Sequence, residues 1–326
     1  DRVLRPCFKR VKMDYRGYLS RLPIFRSASV DAVLRAGEVD DRIGDDALVF
    51  DASQQLIEAA LDGRGVTPRV WRAFIANVRK LRGVKRVDGQ PYATHPTRMG
   101  LTLAAALPET DPMRDSSIVY ALLHDYLEEG EGVAPQGIAL MQREIPGEWG
   151  GVLAAVILSE PIIPYETMMP RFGREVAYVA QLQSVLPRLV YATAFANASL
   201  VDKLDNLHDL GYITERKSYS PERKRERLAA KLAYFRSVLD TAGLYASPIV
   251  HDLVSEALDV RAGIFDLSKE DIEAPLQEMR RLLHLHRVDL NMKIRAFHRA
   301  LVEGAGLDGS QVAIAASATK WILEDK

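Results

Sequence analysis

The chain has 326 residues, of which 48% are hydrophobic and 27% charged, an ordinary balance that excludes an intrinsically disordered polymer and leaves room for a large core. A formal net charge of -1 gives no global pull toward nucleic acid or an anionic membrane, so neither is expected as a partner, and an anionic substrate needs local basic groups. The lone cysteine, Cys7, makes no internal disulfide, and the longest apolar run, Gly150 to Leu158, is far short of the ~20 residues that span a bilayer. The N-terminus has scattered charge and no apolar signal core, and it opens on Asp1 without an initiator Met, as if trimmed or cut from something longer. These features predict a soluble, cytoplasmic protein.

Taken in chain order, helix signals recur and strand alternation is almost absent, so the predicted fold class is all-α. Residues 1–50 carry no clear pattern and read as an N-terminal extension. Thr67 and Pro68 open a helix striped by Val70, Trp71, Phe74, Ile75 and Val78 that stops at Gly83. A basic, turn-rich loop follows to Pro91, then a helix over about 96–107 closed by Pro108. Asp115 is placed to cap the next helix, which buries Ile118, Ala121, Leu122 and Tyr126 and ends at Gly130. Two further helices over 135–145 and 147–158 precede a proline-rich loop to Pro170. Helices then cover about 174–186 and 188–210, the latter ended by Gly211, and Ser220-Pro221-Glu222 start one reaching about Leu239. Beyond Gly243 the spacing predicts helices over 249–260, 275–302 and 310–324. The expected organisation is an extension at 1–50, a principal domain at 51–240 and a C-terminal helical region at 241–326.

Polar residues interrupt the apolar helices at a few places. His124 and Asp125 fall within Val119 to Leu127, and Asp202 lies among Ala198, Leu200, Val201 and Leu204. Burying such groups is costly unless something compensates. His95 begins a helix with Pro96 in its first turn, so its ring can point off the helix end. Two imidazoles and two carboxylates form a mixed nitrogen and oxygen set suited to Mn²⁺, Fe²⁺, Zn²⁺ or Mg²⁺, with positions left for a water. Glu128 and Glu129 follow His124 and Asp125 by four residues each, one turn along the same face, where they could manage a proton on that water.

The ordered segments Pro91-Tyr92-Ala93-Thr94-His95-Pro96, Ala121-Leu122-Leu123-His124-Asp125, Glu128-Glu129 and Val201-Asp202-Lys203-Leu204-Asp205-Asn206-Leu207 resemble the HD superfamily of metal-dependent phosphohydrolases. Within it they are similar to the hydrolase domain of the RelA/SpoT family, including the small metazoan SpoT-like hydrolases. The resemblance runs through about 70–240 and implies an HD-type helical bundle with added N- and C-terminal helical segments. It also implies removal of the 3′-pyrophosphate from (p)ppGpp, typically with Mn²⁺, as in the stringent response. Carried over residue by residue, His95, His124, Asp125 and Asp202 would be the metal ligands and Glu128 and Glu129 the catalytic pair. Lys85, Arg86, Asn206 and Asp209 would bind the guanine nucleotide.

Glu129 and Gly130 depart from the family's usual Asp and Thr. Asp205 departs from a usual His or aromatic residue and is expected to alter the charge of the nucleotide pocket. The Glu129 and Asp205 departures motivate one alternative, an HD phosphohydrolase for another phosphorylated metabolite such as NADPH, and the non-motif segments on both sides motivate another, a non-catalytic nucleotide sensor. No synthetase half is recognisable in 241–326. His284 and His286 read as surface residues, and Glu222 to Arg227 as a solvated, ion-paired helix face. The stripe of Leu276, Met279, Leu283, Leu290, Ile294 and Phe297 reads as packing, on the core or in a homo-oligomer.

Overall fold

The computed structural model describes residues 94–125, 171–189, 191–208 and 210–292, with scattered positions between 67 and 92. Every regular element among the described residues is helical, in line with an all-α chain. Eight α-helices have described bounds: α1 (Thr94–Ala106), α2 (Arg114–Leu123), α3 (Gly173–Val185), α4 (Ala192–His208), α5 (Gly211–Glu215), α6 (Pro221–Ala242), α7 (Pro248–Ile264) and α8 (Lys269–Leu285), and helical residues also occur before α1 and after α8. A single 3₁₀ turn, Leu186–Arg188, separates α3 from the stretch leading to α4. None of these helices is long and apolar enough to cross a membrane. The helices expected over 135–145, 147–158 and 310–324, and the extension at 1–50, lie outside the described residues.

The centre of the packing is α4. Its sequence, ATAFANASLVDKLDNLH, is rich in alanine, the best helix former, and alanine also lets neighbouring helices come close. It packs against α1, α2, α6 and α7, and Ala194, Ala196, Ala198, Leu200, Val201 and Leu204 are fully buried. A helix covered on so many sides is dry all round, so any polar side chain it carries must find a partner. Asn197 does so by joining three helices. Its Nδ2 donates to Ser117 Oγ of α2 at 3.1 Å and to Ser247 Oγ at the start of α7 at 3.2 Å, while its Oδ1 accepts the Ser247 backbone N–H at 2.8 Å.

Helices α1 and α2 form an antiparallel pair across a short turn at Pro108. Arg114, at the start of α2, is buried and donates from Nη2 to the Ala104 carbonyl at 3.3 Å, near the end of α1. A cation there satisfies a terminal carbonyl and suits the helix dipole. The two helices approach closely at Gly100, where an added Cβ would sit 3.1 Å from Leu122 Cδ2 and 3.2 Å from its Cγ.

Several element boundaries differ from the sequence expectations. Asp115 lies in the first turn of α2 but does not cap it; Asp111 starts the turn earlier by accepting the Met113 N–H at 2.8 Å. Helix α2 ends at Leu123, so His124 and Asp125 lie at its C-terminal edge and not in its middle. Gly211 does not end the ordered helical stretch; it opens the one-turn helix α5. Ser220 does cap α6, accepting the Arg223 N–H at 3.3 Å. Helix α8 begins six residues before Pro275, because Ser268 and Asp271 form a reciprocal capping box that fixes its start. Leu276 and Met279 are buried as packing residues, and His284 is exposed.

Among the described residues, the charged segment Glu222 to Arg227 is paired only in part. Arg225 Nη2 bonds Asp271 Oδ2 at 2.6 Å and Glu226 meets Arg171 at 3.2 Å. Arg223 and Arg227 instead stack on the Tyr219 ring, at 4.9 and 4.7 Å from its centroid, with Arg216 also 4.9 Å away. The ring face, negative in its quadrupole, takes the place of carboxylates there.

Candidate metal centre

Three separated segments meet where α1, the end of α2 and the middle of α4 pack together. His95, in the first turn of α1, points its Nε2 at His124 Nε2, 3.2 Å away. Asp202 Oδ1, from α4, lies 3.4 Å from His95 Nε2 and 4.0 Å from His124 Nε2. Asp125 Oδ2 approaches the same two nitrogens, at 3.0 Å from His124 and 3.6 Å from His95. All four residues are buried, and one ligand atom from each of His95, His124 and Asp202 falls within a 4.8 Å span. For donors held ~2.1 Å from one ion, neighbouring ligand atoms stand about 3.0 Å apart in an octahedron and about 3.4 Å in a tetrahedron. The separations among His95, His124 and Asp202 fit such a shell, and Asp125 Oδ2 lies beside it on the histidine side.

Hydrogen bonding on the far side of each ring fixes which nitrogen carries the proton. His95 Nδ1 lies 2.5 Å from Asp205 Oδ2, and His124 Nδ1 lies 2.8 Å from the Ala121 carbonyl oxygen. Both partners only accept, so both Nδ1 atoms must donate, and in the neutral rings each Nε2 keeps a lone pair. Two lone pairs and two carboxylate oxygens therefore face one another in a dry pocket. They repel unless a positive charge lies among them. Asp125 Oδ2 adds a second sign of the same need: it is a fully buried oxygen with no hydrogen-bond partner among the described residues.

Electrostatics point the same way. Burial opposes charge on His124, yet Asp125 and Asp202 outweigh it and push its pKa up to about 9. His95 is also raised, burial being overcome by Asp205, Asp202 and Asp125. Against burial, the neighbouring imidazoles lower Asp125, and Lys203 with the imidazoles holds Asp202 far below the usual carboxylate range. The negative surroundings that draw protons onto the histidines are also what a divalent cation would need, and His95, His124 and Asp202 form a group that could hold one.

The surrounding groups hold the ligands in position. Asp202 Oδ2 is paired with Lys203, whose ammonium also lies 4.4 Å from the Tyr178 ring centroid and 5.6 Å from that of Tyr234. Asp202 Oδ1 accepts from Asn206 Nδ2 at 2.5 Å, one turn on along α4. Asn206, expected to bind nucleotide, thus touches a candidate metal ligand. Tyr92 packs edge-on against His95, with ring centroids 6.3 Å apart.

Asp205 corrects a sequence expectation. It does not face a nucleotide pocket; it is 0% exposed and turned behind His95, where Arg98 grips it with Nε to Oδ1 at 2.9 Å and Nη2 to Oδ2 at 2.8 Å. Burial would raise its pKa, but Arg98 and His95 hold it well below the usual range. Arg98 was not singled out from the sequence at all. The available signal was spacing: Arg98 follows His95, and Asp205 follows Asp202, by three residues on their helices. Lys85, Arg86, Glu128, Glu129 and Asp209 lie outside the described residues.

Searches against protein-family models, curated proteins and solved structures find no significant match to this chain. The centre is read from its own chemistry.

Proposed function

We propose that the chain is a divalent-metal-dependent phosphohydrolase of the HD type, acting on a (p)ppGpp-like guanine nucleotide to release its 3′-pyrophosphate. The observation that carries this reading is the meeting of three electron-pair donors, His95 Nε2, His124 Nε2 and Asp202 Oδ1, from three segments in one buried pocket, with Asp125 Oδ2 beside the two histidines. These donors suit Mn²⁺ as well as Fe²⁺, Zn²⁺ or Mg²⁺. Bound there, such an ion supplies Lewis acidity toward a phosphoryl oxygen and makes water a nucleophile near neutral pH. The protein's own residues do the rest. His95 and His124 present fixed nitrogens, Lys203 and Asn206 hold Asp202, and the surrounding helices keep bulk water from the ligands. Glu128 and Glu129, each four residues after His124 and Asp125 in the sequence, are proposed to orient the attacking water and take its proton. Lys85 and Arg86 are proposed to meet the base and phosphates, with Asn206 and Asp209 at the nucleotide's edge.

With Asp205 turned inward, its difference from the family's usual residue says nothing about the charge a substrate meets. One motive for a different phosphorylated substrate is removed. Incubating Mn²⁺-loaded protein with ppGpp is expected to give GDP and pyrophosphate, and Glu128→Gln is expected to keep the metal and lose turnover. Intact ppGpp at micromolar protein would reject this substrate. Phosphate release from another ester in a parallel panel would replace it, and tight nucleotide binding without turnover would favour a sensor.

A further inference from the structure

The two imidazoles of the centre are backed differently. His124 donates to a neutral backbone carbonyl, that of Ala121, at 2.8 Å. His95 donates to a buried carboxylate, Asp205 Oδ2, at 2.5 Å, across the contact between α1 and α4. That carboxylate is gripped on both oxygens by one guanidinium, Arg98, a turn after His95 on the same helix. A carboxylate behind an imidazole fixes the ring's rotation, keeps the proton on the rear nitrogen and makes the front nitrogen a stronger donor. It also brings a hazard, because a bare carboxylate beside the centre would itself attract the cation or a proton. The Arg98 fork removes that hazard by occupying both oxygens. Of the three buried carboxylates, Asp202 has Lys203 and Asp205 has Arg98, so Asp125 alone lacks a permanent counter-charge among the described residues.

We infer that Asp205, held by Arg98, is a positioning residue that fixes His95 with its bare Nε2 toward the cation, and that metal affinity depends on this pair although neither touches the metal. The inference rests on the metal-centre reading above. It is tested on the full chain with two probes, Mn²⁺ for calorimetric titration and Zn²⁺ for nuclear magnetic resonance.

In the Zn²⁺-saturated, ¹⁵N-labelled protein, two-bond proton–nitrogen correlations are expected to show the His95 proton on Nδ1 at low field. In Asp205→Asn that signal moves upfield or vanishes, while the His124 signals stay in place. Mn²⁺ affinity falls about 10- to 100-fold in Asp205→Asn, and Asp205→Glu restores part of it. Arg98→Lys keeps the charge but breaks the fork, and it weakens Mn²⁺ binding should Asp205→Asn fail to fold. Wild-type affinity in Asp205→Asn, or coordination of Zn²⁺ through His95 Nδ1, overturns the inference while leaving the centre intact. A wild-type protein that takes up neither ion overturns the centre itself and this inference with it.

Discussion

His95 Nε2 and His124 Nε2 face each other at 3.2 Å, each with its opposite nitrogen already donating to a fixed acceptor. Neither can donate to the other in its neutral form. Between neutral rings the contact is unfavourable, and it becomes favourable once a proton or a metal cation lies there; most of the expectations below follow from that difference.

Metal should stabilise the fold. With free Mn²⁺ at a hundredfold excess over its Kd, binding contributes ~2.7 kcal/mol. At about 2.1 cal/mol/K of transition entropy per residue, a chain of 326 residues shifts by roughly 1.5 °C per kcal/mol, so Tm should rise by about 4 °C over the chelator-treated protein. Differential scanning calorimetry with EDTA and with Mn²⁺ measures it; equal transitions would remove the cation from the account.

The pH dependence should reverse sign on metal binding. In the metal-free protein, against burial, Asp125 and Asp202 push the His124 pKa up to about 9 from the ordinary imidazole value of 6.5, so its contribution to stability is complete below about pH 6.5 and is lost as pH rises through 9. A cation must displace that proton, so Mn²⁺ affinity should climb with pH by up to about tenfold per unit for each proton released, levelling off above 9. Calorimetric titrations at pH 7 and 8 in buffers of different ionisation enthalpy would count the protons. Affinity that is flat over this range would contradict the tautomers assigned to the two rings.

Asp202→Ala and Asp202→Asn should part company. Both remove a ligand and should abolish tight metal binding. The alanine variant also leaves Lys203 buried without its carboxylate, a change costing about 3–5 kcal/mol, whereas the asparagine retains an oxygen for the ammonium. Chemical denaturation in EDTA is expected to show a clearly lower midpoint for Asp202→Ala than for Asp202→Asn.

Three of the four candidate ligands, His124, Asp125 and Asp202, stand out in the sequence as polar residues in otherwise apolar helical stretches, whereas His95, at a helix start, was named through its place in the HD-like motif set. Asp205 is just as buried, but the chain alone leaves open whether it looks into a cavity or into a neighbouring helix. That is decided by how α1 crosses α4. The crossing pairs His95 with Asp205 and sets Arg98 on the same carboxylate, a diagonal relation invisible in either helix alone. The early start of α8 was legible in Ser268 and Asp271, but Pro275 masked it as a first-turn residue. The boundary at Leu123 was not legible, since Tyr126 continues in the sequence the apolar spacing of Ile118, Ala121 and Leu122.

Asn197 supplies a control remote from the ligands. Asn197→Ala leaves the Ser247 N–H and the two serine hydroxyls without their shared partner, which should cost about 1–3 kcal/mol. Mn²⁺ affinity, measured well below the unfolding transition, should not change. A parallel loss of affinity would mean that the α2–α4–α7 junction and the centre are mechanically coupled.

The closeness of α1 and α2 at Gly100 carries a consequence for inheritance. A side chain larger than methyl at that position must wedge against Leu122 and lever the two helices apart, drawing His95 away from His124. Random mutagenesis scored by loss of bound ion should therefore recover lesions at residue 100 alongside those in the ligands, although its hydrogen atom never meets the cation.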